Sequence, residues 1–443
     1  MAGRGMKVIS RFTATVKRTG YISLLAVSVS LGAALFSALF IMILRTAHPL
    51  LFSLTRYPLL FILIPAFGLM AAQFVSFRWA QGVKGHGVPE IQYSVRDRDG
   101  VIPLRGAAAK TLSSLITILA GGSAGQAGPV ALIGAVAGSA FGNFLHLQKQ
   151  ERMILVGSGV ASAITVLFHT PVTALLFTLE LIYIRYSVST VIPITISTAV
   201  VFSGLSAAGL SYPLIPLEPG FSLSPSFIVA ALLTVIFSSL IVWGWGKVQF
   251  GIESFFIRST IPQAFEAFIA GLLVGLLSLL SYRISGTAMV SAADTAFLTQ
   301  LFQGSFPSPL ILLLLLTMKF IANPLTLGAG GSGGVFAPSL FLGASAGFVT
   351  AGTVALFLPL SFDAVLICSL VGMSAVLAGV SGAVFTAIVL ATEMTGSLSL
   401  LPVVACGTGI SVLLTRRMNK DTFYSAKLKK NESERGEERQ SAV

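Results

Sequence analysis

The sequence predicts an all-α integral membrane protein built from a duplicated unit with broken helices. Three observations predict it. Over 443 residues the chain is 55% hydrophobic and 10% charged, where soluble domains carry about 25% charged residues. Apolar runs of bilayer length recur along it. Two glycine-rich loops, each ending in proline, stand at matching places in two similar halves.

The runs are Tyr21–Leu44, Pro58–Gln73, Met153–Tyr183, Val191–Leu210, Phe227–Trp245, Ala267–Leu280, Leu310–Met318, Pro338–Leu358 and Ala364–Thr392. Each approaches or exceeds the ~20 residues of a spanning helix, or reads as a shorter, broken one. The segment after Lys17 and Arg18 is too long for a cleavable signal. The net charge is +12. Arg4, Lys7, Arg11, Lys17 and Arg18 precede the first run, and Arg416, Arg417, Lys420, Lys427, Lys429 and Lys430 follow the last. By the positive-inside rule both termini are expected in the cytoplasm, with the chain in the cell (inner) membrane. The tail "KLKKNESERGEERQSAV" reads as solvated.

Composition also excludes function classes. No basic face with interleaved aromatics is visible, so no nucleic-acid partner is expected. The two cysteines, Cys368 and Cys406, lie in apolar segments, which excludes a disulfide framework and a cysteine zinc site. No metal or cofactor is expected. The partners are membrane lipid and small inorganic anions.

The duplication is read from two pairs of segments. "GPVALIGAVAG" (Gly128–Gly138) aligns without a gap on "APSLFLGASAG" (Ala337–Gly347), and "TPVTALLFTLE" (Thr170–Glu180) on "AVFTAIVLATE" (Ala383–Glu393). The pairs occur in the same order. Repeats with Gly/Pro-broken helices typify transporters and some channels, whose ion sites lie where half-helix ends meet.

The loops "GGSAGQAGP" (Gly121–Pro129) and "GAGGSGGVFAP" (Gly328–Pro338) each open an apolar helix and hold no charged residue. A helix N-terminus offers unpaired N–H groups and a partial positive charge. Two such ends aimed at one point would hold an anion weakly enough to release it, as conduction requires. A lysine there would bind harder and be costly to bury. A third stretch, "GVKGHGVPEIQ" (Gly82–Gln92), has the same grammar.

"GHGVPE" (Gly85–Glu90), "GQAGP" (Gly125–Pro129) and "GVFAP" (Gly334–Pro338) resemble the three anion-site signatures of the CLC family of chloride channels and chloride/proton exchangers, whose usual forms are GSGIPE, GREGP and GxFxP. "FHTPVTALLFTLE" resembles the family's FNAPLAGxLFxxE segment, "LATEMTGSLSLLP" its second-half counterpart, and "FYSAKL" (Phe423–Leu428) the final element that carries a tyrosine into the pore. The order and spacing fit from about Tyr21 to Leu428.

The resemblance implies two inverted-topology helical repeats around a central anion path, and a homodimer with one path per subunit. It divides the chain into a cytoplasmic segment (1–18), a first repeat (19–213), a second repeat (214–414), and a pore-lining element with a charged tail (415–443), without the paired cytoplasmic nucleotide-binding (CBS) modules of many relatives. It places the backbone of Gly125, Gln126, Ala127 and Gly128 at an outer anion site. Gly334, Val335, Phe336 and Ala337, with the Tyr424 hydroxyl, line a central one. Gly85, His86, Gly87 and Val88 lie toward its inner side. Lys110 matches a buried lysine below the first loop.

The departures from the family pattern bear on mechanism. The gate glutamate of GREGP, a proton carrier in exchangers, is Ala127 here. The second of two adjacent glutamates, the inner proton site of many exchangers, is Leu181, while Glu180 retains the first. The pore serine of GSGIP is His86. The expected function is therefore passive, proton-uncoupled transport of chloride or a similar anion. The alternative is a chloride/proton antiporter with a non-standard proton route through His86, Glu180 and water.

Each residue also has a plainer reading. Glycines in membrane helices often serve close packing. Tyr424 can be an interfacial belt residue. His86 can be packed against a carbonyl. Glu180 and Glu393, at equivalent places, suit either a proton relay or a structural bond to free N–H groups of a neighbouring helix. An intramembrane serine hydrolase is a remote third reading. "GVSG" (Gly379–Gly382) and "GASAG" (Gly343–Gly347) imitate nucleophile motifs, but His48, His86, His146 and His169 all precede both serines and supply no evident base. The chain is read as not an enzyme.

Overall fold

The structure, a computed structural model, describes residues 2–54, 57–80, 87–182, 186–210, 214–215, 217, 223–286, 290, 294–305 and 308–430, without the side chains of 2–15, 48–54 and 294–296. Eight helices form a first unit: α1 (Ala2–Leu54), α2 (Pro58–Trp79), α3 (Val88–Asp97), α4 (Leu104–Leu119), α5 (Ala127–Phe144), α6 (Lys149–Phe168), α7 (Pro171–Leu181) and α8 (Val188–Ala207). Eight more form the second: α9 (Pro225–Arg258), α10 (Gln263–Ser285), α11 (Asp294–Phe302), α12 (Pro309–Gly328), α13 (Phe336–Val354), α14 (Phe362–Ser381), α15 (Val384–Thr395) and α16 (Leu401–Met418). A last helical segment covers 423–430. Among the described residues 11 helices are long and apolar enough to cross a membrane, and α7 and α15 are shorter apolar helices.

Some apolar runs differ from the helices that form. Met153–Tyr183 is divided where His169 adopts φ 58° at the end of α6 and Pro171 opens α7. Ala364–Thr392 is divided at Gly382, φ 82°. At both places a left-handed residue lets the chain leave one helix and turn into the next. Leu310–Met318 is the apolar start of a longer helix, α12, because Lys319 and Asn323 bury their polar ends on Val290 and Ser123 carbonyls and let the helix continue. Residues 2–18 of the basic segment are continuous with the first span in α1, without a break. The sequence runs omit α5 and α16.

The two units pack alike. Helix α1 lies against α5, α6 and α8, and α9 against the equivalent α13, α14 and α16. The tightest contacts are at glycines. A Cβ on Gly134 of α5 would stand 2.2 Å from the Gly159 carbonyl oxygen of α6, and one on Gly343 of α13 would stand 2.2 Å from that of Gly372 of α14. These helices touch backbone to backbone, as small residues permit in membranes. Gly134→Ala should therefore destabilise the protein by about 2 kcal/mol, because a backbone oxygen on a packed helix cannot yield. Gly204→Ala, which meets open space, should be neutral or better. Thermal unfolding of both variants in one detergent checks this, and equal midpoints would contradict it.

The units are joined at α2 and α10, where a Cβ on Gly271 or Gly275 would strike the backbone of Ala66 or Ile62. They are also joined by an antiparallel bridge between Gly125 and Gly334. Equivalent residues paired antiparallel place the units about a two-fold axis, so equivalent helices run in opposite directions across the bilayer. The fold is thus all-α, with two inverted repeats whose broken helices meet at the centre.

Candidate functional site

The bridge is the centre of the site. The Gly125 N–H donates to the Gly334 carbonyl (2.8 Å), and the Gly334 N–H donates to the Gly125 carbonyl (2.7 Å). Each glycine must be bare: a Cβ at 125 would lie 2.7 Å from Pro338 Cδ, and one at 334 would lie 3.0 Å from the Gly128 nitrogen. Both loops are held by equivalent bonds from the opposite unit. Thr326 Oγ1 of α12 accepts from the Ser123 N–H, and Thr117 Oγ1 of α4 accepts from the Ser332 N–H, each at 3.0 Å. Ser114 Oγ donates to Ser332 Oγ at 2.9 Å, completing a clasp in which each repeat fixes the other's loop.

This clasp aims two helix ends at one place. Val130 and Ser339 donate to the Gln126 and Val335 carbonyls and begin the intrahelical ladders, and Pro129 and Pro338 have no N–H. The N–H groups of Gln126, Ala127, Gly128, Val335, Phe336 and Ala337 have no bonding partner among the described residues. All six residues but Gln126 are buried. Unpaired buried N–H groups are rare and costly, so these donors await a ligand that accepts. Gly125 and Gly334, read from sequence as anion contacts, donate their N–H groups to each other's carbonyls, and their part is to hold the two ends together.

The start of α3 joins them. Gly87 (φ 85°) lies so close to α5 that a Cβ would stand 2.7 Å from the Gly128 carbonyl carbon. Val88 is buried beside it. Gly85 and His86, and with them Lys84, lie outside the described residues. Phe336 packs against Phe168 (5.5 Å between centroids) and Phe177 (5.6 Å). Tyr424 is buried in the same apolar cluster as these rings. Burial pushes its phenol above the ordinary range, so it is a neutral O–H donor.

Ala127 is 1% exposed at the first position of α5. Leu181 is buried, and its carbonyl accepts from the Gln92 amide at 2.7 Å. Neither position carries a titratable group. The two intramembrane glutamates are structural in geometry. Glu180 accepts from the Phe385 and Thr386 N–H groups and the Thr386 hydroxyl, capping α15. Glu393 accepts from the Val172 and Thr173 N–H groups and the Thr173 hydroxyl, capping α7. Of the two imitation nucleophiles, Ser381 bonds the Leu377 carbonyl and Ser345 is buried within α13.

The sequence reading missed three charged residues. Lys319 is fully buried at the place in α12 that Lys110 occupies in α4, a correspondence the repeat register could have revealed. Lys110 itself donates to Ser76 Oγ (3.1 Å) and faces Lys427 and Glu90. Lys427, one turn beyond Tyr424, is paired in the interior with Glu253 of α9, which also meets Lys430 at 3.1 Å. No pattern in the chain signals that pair, 174 positions apart.

The pair anchors the helix that carries Tyr424. Glu253→Gln would leave Lys427 buried without its full counter-charge, a loss of about 3 kcal/mol in stability, and should weaken halide binding by freeing that helix. Lys427→Met in the same chain should recover most of the stability. Unfolding and halide titration of the single and double variants check this. Additive losses would show that the two residues are not coupled.

Comparison with known proteins places this geometry. The family model described as "Voltage gated chloride channel" matches residues 67–416. The voltage-gated ClC-type chloride channel ClcB of Salmonella typhi is 24% identical over 370 residues, covering 82% of this chain and 86% of that protein. A slow cyanobacterial Cl−/H+ antiporter has a similar crystal structure, with TM-score 0.82 and 19% identity over 93% of this chain and 97% of that one. A CLC-type fluoride/proton antiporter gives TM-score 0.73 and 20% identity, covering 91% and 97%.

Proposed function

The chain belongs to the voltage-gated chloride channel (CLC) family, a family of membrane anion transporters, and from that premise we propose that it passes chloride or a similar small anion through the nest between α5 and α13 without coupled proton movement. The observation that carries this is the set of six unpaired N–H groups at two clasped helix ends, with no lysine or arginine among them. Such donors stabilise an anion by partial charges and leave it exchangeable. Ala127 and Leu181 stand where exchangers of the family carry their proton-bearing carboxylates, and neither side chain can bind a proton. In this reading Gln126, Ala127 and Gly128 face an outer position, Val335, Phe336, Ala337 and Tyr424 a central one, and Gly85, His86, Gly87 and Val88 its inner side.

A second reading, proton-coupled antiport, is favoured by the comparisons, since two similar solved proteins are named as proton antiporters. It requires a route other than 127 and 181. Glu180 is held by the first turn of α15, which leaves His86 and water as the remaining members of a route through His86, Glu180 and water.

Purified protein in liposomes, read with chloride and proton electrodes together, decides between them. Chloride flux with no proton uptake beyond leak supports the first reading. Uphill proton pumping at fixed stoichiometry overturns it in favour of the second. The protein is further proposed to be a homodimer of two such paths, in a bacterial inner membrane with both termini cytoplasmic. Supports are the exposed apolar residues Val172, Val188, Phe385 and Leu398 on and beside α7, α8 and α15, the basic ends of the chain, and the bacterial source of its relatives.

A further inference from the structure

Behind the helix that carries Tyr424 lies an open cavity of about 570 Å³, bounded by α9, the ends of α14 and α16, and the 419–423 connection. Three aromatic rings stand in its otherwise mixed wall. Trp245 stacks on Phe423 (centroids 6.4 Å apart, planes 15° apart), and Phe250 stacks on the same ring (5.3 Å, 24°). Two polar groups on these walls are unsatisfied. Trp245 is 2% exposed and Thr415 is 5% exposed, and neither the indole N–H nor the threonine hydroxyl has a hydrogen-bond partner among the described residues. A buried donor without a partner costs about 1–3 kcal/mol, so both point to an occupant that accepts.

The rim gives its charge. Lys247 and Lys420 line the cavity, and neither forms an ion pair among the described residues. Lys247 instead lies over the Trp243 ring at 4.0 Å. The acid that lines the cavity, Asp421, is taken by Lys429 at 2.7 and 2.9 Å. The net field at the opening is therefore positive. The space is far larger than a halide or free phosphate requires. The outward face of α16 beside it exposes Leu413 and Met418, and Trp and Lys together mark the depth at which lipid headgroups sit.

We propose that this cavity binds an anionic phospholipid, with the headgroup phosphate on Lys247 and Lys420, acceptor oxygens on the Trp245 N–H and Thr415 O–H, and the glycerol and first acyl carbons against Phe250 and Phe423. Phe423 and Ala426 flank Tyr424 and line the cavity, so the lipid fixes the position of that tyrosine. This consequence for flux rests on the anion-transport reading above, whereas the binding itself does not.

The test uses the full chain, purified and exchanged into defined lipid. Native mass spectrometry should show wild type retaining phosphatidylglycerol in preference to phosphatidylcholine. Trp245→Phe keeps an aromatic ring but loses the pyrrole half with its N–H, and should weaken retention roughly tenfold, the worth of one hydrogen bond to a charged group. The double variant K247A/K420A should lose the preference for the anionic lipid. Chloride efflux from phosphatidylcholine-only liposomes should be several-fold slower than from mixed liposomes for wild type, with the difference absent in K247A/K420A. Equal phosphatidylglycerol retention by all three proteins overturns the proposal. So does displacement of the retained lipid by inorganic phosphate alone, which would make the site one for the free ion. Lipid retention that follows the variants while no protein moves chloride upholds the site and refutes the transport reading instead.

Discussion

Ala127→Glu is expected to cut anion flux at neutral pH by about an order of magnitude, and acidification of the outer solution is expected to restore it. Ala127 is the first residue of α5, 1% exposed, beside the unpaired N–H groups of Gly128 and the facing helix end. A carboxylate there is attracted to the same partial charge that would hold a halide. Placement at a helix N-terminus favours a negative group by up to about 2 kcal/mol. That corresponds to roughly a thirtyfold preference for occupancy by the tethered group. Two effects act on its protonation. The N–H donors favour the charged form, and burial disfavours it. Either way the neutral acid forms as pH falls and no longer competes with a halide. Flux against external pH, with chloride saturating on both sides, measures this. Proton pumping is not expected to appear, because Leu181 still supplies no inner acceptor. A variant that conducts like wild type at every pH would place residue 127 away from the path.

The parts of the site legible in the sequence were those with a side-chain or spacing signature. Pro129 and Pro338 mark the helix starts because proline suits the first turn, and their alignment across the repeat located the second loop from the first. The bridge between Gly125 and Gly334 was not legible. It is made by backbone groups in irregular loops, where glycines permit many pairings and specify none. The bridge also reassigns these two residues from donors to clasp. Breaks within long apolar runs were hidden for a related reason. One polar residue, His169, or one glycine, Gly382, barely lowers the mean hydropathy of a long run, and what ends each helix is a left-handed conformation there. The polar clasp of Thr117, Thr326, Ser114 and Ser332 is ordinary hydroxyl composition until the units are brought face to face. Lys427 and Glu253 carry no periodic relation at all, and only packing unites them.

Glu180 and Glu393 were placed correctly as equivalents and left with two meanings, and their geometry selects a strong expectation. Each carboxylate closes the open end of the other repeat's short helix, so α7 and α15 cap one another. Helices of 11 and 12 residues are marginal on their own, and in a bilayer no water replaces a missing acceptor at their first turn. Glu393→Ala removes the acceptor for the Val172 and Thr173 N–H groups and the Thr173 hydroxyl together. Hydrogen bonds to a charged group are worth about 1.5–3 kcal/mol each. Because bonds to one shared acceptor are not additive, a loss of roughly 3 kcal/mol is expected, enough to lower the unfolding midpoint by several degrees. Glu393→Gln should fall between, since its amide oxygen still accepts while its NH2 faces a donor. Glu180→Ala should cost a similar amount through Phe385 and Thr386. Both Gln variants should leave the ratio of proton to chloride movement as it is in wild type. The measurement is thermal unfolding beside paired electrode traces on the same preparations. A Glu180→Gln protein of unaltered stability that changes the proton signal would make this carboxylate a relay and not a cap.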